Sequence, residues 1–167
     1  MRDEDVVLAD GGVVHVRSVE PSDGPALIGL HARSSLRSRY MRFFSSYPQI
    51  PARDLFRFAN VDHRDREAIV VVVPPHVIAV GRYERLAPDS AEAEIAFLVE
   101  DAYQGRGIAP VLLERLVAAA REAGIARFVA EVLPGNYAML RVFTEAGYAV
   151  QSRFGDGLVH VAFPLDP

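Results

Sequence analysis

The chain has 167 residues, 50% hydrophobic and 24% charged, with a formal net charge of −4 and no cysteine. That length suits one domain with a full hydrophobic core. Without cysteine there are no disulfides and no thiolate metal sites, the acidic balance offers no basic face to nucleic acid, and no apolar run is long enough for a membrane helix.

The elements follow in order. Val6 to Val19 reads as a β-hairpin turning at Asp10-Gly11-Gly12. Pro21-Ser22-Asp23 opens a helix with Ser22 or Asp23 as N-cap and Ala26, Leu27, Leu30 and His31 at helical spacing. A second helix is expected from Ser34 to Phe44, with Leu36, Tyr40, Phe43 and Phe44 on one face and Arg37, Arg39 and Arg42 elsewhere. Its aromatics are expected in the core and its arginines in solvent, with the acceptor entrance or an adenosine phosphate as the other destinations of the arginines. Tyr47-Pro48 ends it, and Pro51 starts a short helix through Ala59.

Glu67 to Val73 is nearly all apolar, so a strand buried on both faces. Pro74-Pro75 turns it into a partner, His76 to Leu86, and Pro88-Asp89-Ser90 turns again into Ala93 to Val99. Ile108 to Ala123 is an amphipathic helix capped by Gly124. Arg127 to Leu133 is a strand parallel to Ala93–Val99, by strand–helix–strand logic. Asn136 caps a helix through Glu145, with Met139, Leu140 and Phe143 inward. Strands near Tyr148–Phe154 and Leu158–Phe163 meet at Gly155-Asp156-Gly157. The expected fold is one α/β domain spanning 1–167, a mixed and mostly antiparallel sheet with one parallel pair and flanking helices.

The most informative stretch is Glu92 to Leu116, in which a strand hands the loop Gln104-Gly105-Arg106-Gly107-Ile108-Ala109-Pro110 to a helix start. Backbone N–H groups and the positive helix end converge there on an anion, usually a phosphate. Gly105 and Gly107 permit close approach, and Arg106 adds charge. A tight turn with an incidental arginine is the plainer reading. A dinucleotide fingerprint is disfavoured, because its third glycine would fall at Pro110.

Gln104, Gly107 and Ala109 form Gln-x-x-Gly-x-Ala, which resembles the acetyl-CoA pyrophosphate loop of the GNAT superfamily of N-acetyltransferases. The preceding AEIAFLV and the following AEVLPGNYAMLRVFTEAGY agree in order. The opening hairpin, SRYMRFF at Ser38–Phe44 and MLRVF at Met139–Phe143 resemble the GNAT domains of bacterial Pat-type protein lysine acetyltransferases. The resemblance implies a V-shaped cleft between the two parallel strands. Pantetheine would pair with the backbone of Phe97, Leu98 and Val99, and pyrophosphate would meet N–H groups from Gly105 through Ala109, Arg106 and Ile108 included. Asn136 matches an asparagine beside the cofactor arm and can be an N-cap at the same time. Such domains are often attached to a nucleotide-binding or synthetase-like region. None is visible here, which leaves open whether the chain stands alone or is one domain of a longer protein.

Acetylating an amine requires the neutral amine, and a free lysine has a pKa of ~10.4. A base removes the surplus proton. Glu94 is the first choice. It shares a face with Ala96 and Leu98, opposite Ile95, Phe97 and Val99, and is expected to be partly buried with a raised pKa. It also matches the strand glutamate that resembles the base of Pat-type enzymes. A solvated strand-end carboxylate is the plainer reading, and Glu92 is the reserve. Where many of these enzymes place an acidic tyrosine, this chain has Phe143. Tyr137 and Tyr148 are substitutes, each expected rather to pack. A bulge near Leu98 would present an N–H to the oxyanion.

His15, His31, His63, His76 and His160 show no metal spacing, so no metal is expected. Asp62, Asp65 and Glu67 read as an ordinary acidic loop, with attraction of a cationic lysine as the alternative. The expectation is a cytoplasmic N-acetyltransferase using acetyl-CoA by direct transfer to a protein lysine, for example on an acyl-CoA synthetase, with no nucleic-acid or membrane partner. The alternatives are a small-amine acetyltransferase and a catalytically silent acyl-CoA-binding module. The oligomeric state, the acceptor and the acyl preference are not legible.

Overall fold

The structure, a computed structural model, describes residues 3–166. Its strands are β1 (Glu4–Val7), β2 (Val13–Ser18), β3 (Arg66–Val73), β4 (His76–Arg85), β5 (Glu92–Val99), β6 (Arg127–Val132), β7 (Gln151–Gly155) and β8 (Leu158–Pro164). The helices are α1 (Gly24–Arg33), α2 (Leu36–Phe43), α3 (Ala52–Ala59), α4 (Ile108–Glu122) and α5 (Tyr137–Glu145). One eight-stranded sheet runs β1-β2-β3-β4-β5-β6-β8-β7, and β5–β6 is its parallel pair. The expected α/β architecture is therefore present. The seventh strand starts at Gln151 rather than near Tyr148.

Strand alternation divides the core. Ile69 and Val71 of β3 pack on the α4–α5 side, with Leu112, Leu116, Phe128, Phe143 and Phe163. Ala68 and Val70 pack on the other side, with Leu27 and Leu30 of α1 and Ala59 of α3. A strand apolar at every position is what burial on both faces requires. Gly81 of β4 lets the layers close. A Cβ there would lie 2.9 Å from the Phe97 ring and 3.1 Å from a Leu116 methyl.

The hairpin turn closes through Leu8 N–H to Gly12 O (2.8 Å), with Gly11 at φ +87°. Asp23 does not cap α1 with its side chain. It accepts both Arg17 guanidinium nitrogens at 2.7 and 2.8 Å and the Glu20 N–H at 2.7 Å, which pins α1 to β2. Helix α2 departs from expectation more strongly. It buries no residue: Leu36 and Tyr40 are exposed, and Phe43 and Phe44 are half-buried. Polar links hold it instead. Ser35 N–H and Oγ each donate to Asp101 at 2.8 Å, and Ser38 Oγ donates to the same carboxylate at 3.0 Å.

Candidate active site

Strands β5 and β6 pair only at Glu92–Arg127, Ala93–Phe128 and Glu94–Val129. Beyond Glu94 they part, and the cleft lies between them. On its other side, β5 stays in register with β4 from Arg85–Ala93 to Ala79–Val99 without a slip. The expected bulge near Leu98 is therefore absent. Leu86 N–H donates to Glu92 O (3.0 Å) and Glu100 N–H to Ile78 O (2.9 Å), so even-numbered residues of β5 turn their backbone groups to β4. Leu98 lines the cleft, but its N–H and C=O lie on the β4 side. The free edge belongs to Ile95, Phe97 and Val99. Of these, Val99 O already accepts Gln104 Nε2 at 3.0 Å.

The cleft holds about 890 Å³ and is lined by Phe97, Leu98 and Val99, by Gln104, Gly105, Gly107, Ile108 and Ala109, and by Asn136. Gly105 and Gly107 adopt φ +77° and +83°, and nothing lies within 4 Å of where a Cβ would stand. Gly107 is the α4 N-cap with no side-chain cap, and the first turn carries no acid. The first-turn N–H groups are thus left for an outside acceptor. This cradle fits a pyrophosphate. Arg106 is not in it. Its Nε donates to Asp10 Oδ2 at 2.6 Å and its guanidinium lies over Tyr103, so it braces the loop against the hairpin.

Glu94 sits where the parallel pair ends. The expected partial burial is not met: Glu94 is exposed. The protein nearby still desolvates its carboxyl in part. That desolvation raises its pKa, repulsion from Glu131 raises it further, and Arg42 opposes both. Glu131 lies two residues beyond Val129, on the same face of β6, and pairs with His160 at 3.7 Å. Glu94, Glu131, Arg127, Arg153 and His160 line a second hollow of about 720 Å³. Glu94 thus stands on the wall of this hollow, at the point where β5 and β6 begin to part. Glu92 is drawn off to Arg127 at 3.5 Å.

Asn136 is buried, and its side chain caps α5 by accepting Met139 N–H at 3.4 Å while lining the cleft. Phe143 is fully buried against Phe97 and Phe163 and offers no proton. Tyr148 packs on Phe163 at 4.9 Å, as expected. Tyr137 does not pack: it is exposed at the cleft wall.

Arg37 and Arg42 both stand at the cleft; Arg37 is exposed to solvent as expected, whereas Arg42 is half-buried. Arg42 lies over the Phe43 ring at 4.5 Å, and burial pushes its pKa down to about 10. Arg82 and Glu131 were not singled out from the sequence. A signal for Glu131 was present: Ala130-Glu131-Val132 repeats the parity of Ala93-Glu94-Ile95 on the neighbouring strand.

Other candidates have local duties. Glu67 is buried and accepts its own neighbour Ala68 N–H, Asp65 pairs with Arg85, and Asp62 accepts the Arg64 and Arg66 N–H groups. Among the described residues no group of three or more metal-ligating side chains assembles, and no helix is long and apolar enough to cross a membrane.

Comparison with known proteins agrees with this geometry. The acetyltransferase (GNAT) domain family matches residues 14–149. The chain is 33% identical over 166 residues to Acetyltransferase Pat of Mycolicibacterium smegmatis (strain ATCC 700084 / mc(2)155), covering 97% of this chain and 49% of that protein. It therefore spans about half the length of that relative. The GNAT domain of S. lividans PAT superposes with a TM-score of 0.91 at 43% identity, covering 97% and 96% of the two chains. A cAMP-binding acyltransferase from Mycobacterium smegmatis gives a TM-score of 0.70 at 29% identity, over 99% of this chain and 48% of that one. A strand pair that splays at Glu94, an uncapped glycine turn at its mouth and these matches lead to one conclusion: the chain belongs to the GNAT acetyltransferase family.

Proposed function

We propose that the chain is an acetyl-CoA-dependent N-acetyltransferase that modifies a lysine side chain of a protein, with Glu94 as general base. The observation that carries this reading is the position of Glu94 at the last paired residue of β5 and β6, where the strands part, on the wall of the second hollow. Acetyl-CoA enters the cleft, with its pyrophosphate on the Gly105–Ala109 N–H groups and its pantetheine along the free edge at Phe97 and Val99. The acceptor ammonium approaches through the hollow, drawn by Glu94 and Glu131. Glu94 takes one proton, and the neutral nitrogen attacks the thioester carbonyl. A C–N bond forms, the C–S bond breaks as the carbonyl is restored, the nitrogen gives up its second proton to solvent, and CoA departs as the thiolate. Phe97 N–H replaces Leu98 as donor to the oxyanion. Phe143 supplies no proton, and a thiol with a pKa of ~8.5 leaves without one.

The Pat-type resemblance supports a protein acceptor and makes an acyl-CoA synthetase the first to try. The absence of cysteine suits the reducing cytoplasm. Incubation of the chain, acetyl-CoA and a purified acyl-CoA synthetase, read by mass spectrometry, tests the reading. Acetylation of a lysine is expected, falling ~10²- to 10⁴-fold in Glu94→Gln while acetyl-CoA binding persists. Undiminished activity in Glu94→Gln would remove it from the mechanism. Acetyl-CoA binding with no transfer to protein or small amines would leave a silent acyl-CoA module.

A further inference from the structure

Among the described residues, two cations beside the site join no ion pair. Arg42 of α2 lies over the Phe43 ring at 4.5 Å, and Arg82 of β4 lies over the Phe58 ring at 4.4 Å. The two rings are themselves neighbours, with centroids 6.4 Å apart. Arg82 Nη1 is further held by Phe58 O at 3.3 Å. Among the described residues neither guanidinium joins an ion pair, although other arginines nearby do: Arg57 takes Glu84 and Arg127 takes Glu92. Both are crowded by protein. Burial pushes Arg42 down to about 10 and Arg82 to about 9, Arg42 repelling Arg82, so both remain charged at neutral pH.

Holding two like charges in a desolvated place costs stability unless an anion satisfies them. The pyrophosphate cradle lies towards the other end of α2, although Arg42 also lines the cleft. Ser35 and Ser38, at the start of α2, are tied to Asp101 and Gln104 beside the glycine turn. Arg42 is four residues further along, about 6 Å in helix rise, at the end that faces Glu94. Arg82 sits opposite Ala96, which shares Glu94's face of the sheet. Positive and negative groups therefore stand side by side at the reaction centre, Arg42 and Arg82 next to Glu94 and its neighbour Glu131. An acceptor that carries both charges matches this arrangement.

We propose that Arg42 and Arg82, held on adjacent aromatic rings, form a carboxylate subsite of the acceptor site, selecting amines that have an acidic group close by, such as a lysine flanked by aspartate or glutamate. The subsite rests on the acetyltransferase reading above, and its test is separable from it. Lysine peptides with a glutamate at each flanking position, their glutamine counterparts, and free lysine against lysinamide are compared as acceptors. The carboxylate form is expected to win by ~10-fold or more in kcat/KM, and the ratio to collapse towards unity in Arg42→Met and Arg82→Met. Arg42→Lys keeps the charge without the fork and is expected to retain part of the ratio. Thermal melting confirms that each variant is folded.

A carboxylate preference among peptides assigns the anion to the flanking side chain; a preference for lysine over lysinamide assigns it to a free amino acid. Equal rates for acidic and neutral acceptors would overturn the subsite and leave the acetyltransferase reading standing. So would a defect of Arg42→Met confined to acetyl-CoA affinity. If no acceptor is acetylated, the same peptides with norleucine in place of lysine are titrated into the acetyl-CoA-loaded chain. Tighter binding of glutamate over glutamine forms, lost in Arg42→Met, supports the subsite without turnover; equal binding overturns it.

Discussion

On one face of the sheet, α4 and α5 bury Leu112, Leu113, Leu116 and Phe143 against Phe128 and Phe163; on the other, α2 buries nothing and is tied down by serines and one aspartate. The first face carries the glycine turn and the free strand edge, which act through backbone. The second carries Arg42, which acts through its side chain. Backbone groups hold their aim only if the layer behind them is rigid, so the cofactor half is close-packed. A recognition helix held by polar links can change its surface residues with little penalty to folding. On the proposed reading, cofactor geometry and acceptor choice are carried by different kinds of construction.

Truncation should separate the halves most sharply. Phe143→Ala empties a fully buried site and is expected to cost ~3–5 kcal/mol in denaturant unfolding. A cost below ~1 kcal/mol would mean that the α5 layer is soft, contrary to the packing. Gly81→Ala drives a methyl into the Phe97 ring and Leu116, at an expected ~1–3 kcal/mol, with weakened acetyl-CoA binding because Phe97 lies on the cleft wall. On the other face, Leu36→Ala is expected to change stability by no more than ~0.5 kcal/mol, since that side chain is 58% exposed. A large loss there would show α2 to be a structural element after all.

Electrostatics sharpen the comparison further. Under the proposed mechanism Glu94 must be ionised to accept a proton, so activity is expected to fall as pH drops through its raised pKa. Glu131 raises that pKa and Arg42 lowers it. The acid limb of kcat/KM is therefore expected to move to lower pH in Glu131→Gln and to higher pH in Arg42→Met. Movement in the same direction in both variants would remove Glu94 as the titrating group. The shifts are expected to be modest, within ~1 pH unit, because solvent reaches the carboxylate.

Much of the fold was legible because its signals are local. The hairpin turn at Asp10-Gly12, the buried strand through Val70 and Val71, the α4 periodicity and the Asn136 cap each reside within a few neighbouring residues. The face of β5 that Glu94 occupies was legible by strand parity, and the glycine turn by composition. Tyr40 was misplaced because helical spacing defines a face without telling how far anything covers it; in α2 the cover reaches Phe43 but not Leu36 or Tyr40. The bulge near Leu98 failed for a related reason, since a register is a property of two strands.

The sequence by itself determined the element order, the two-sided burial of the central strands and the backbone conformations that glycine permits, because these follow from short-range sterics and periodic burial. Only the tertiary structure decided where β5 and β6 part, that Arg106 turns to an aspartate 96 residues away, and that Arg42 and Arg82 come to rest on neighbouring rings. Those are contacts between segments distant in the chain. They are selected by how whole layers pack, and no local pattern encodes them.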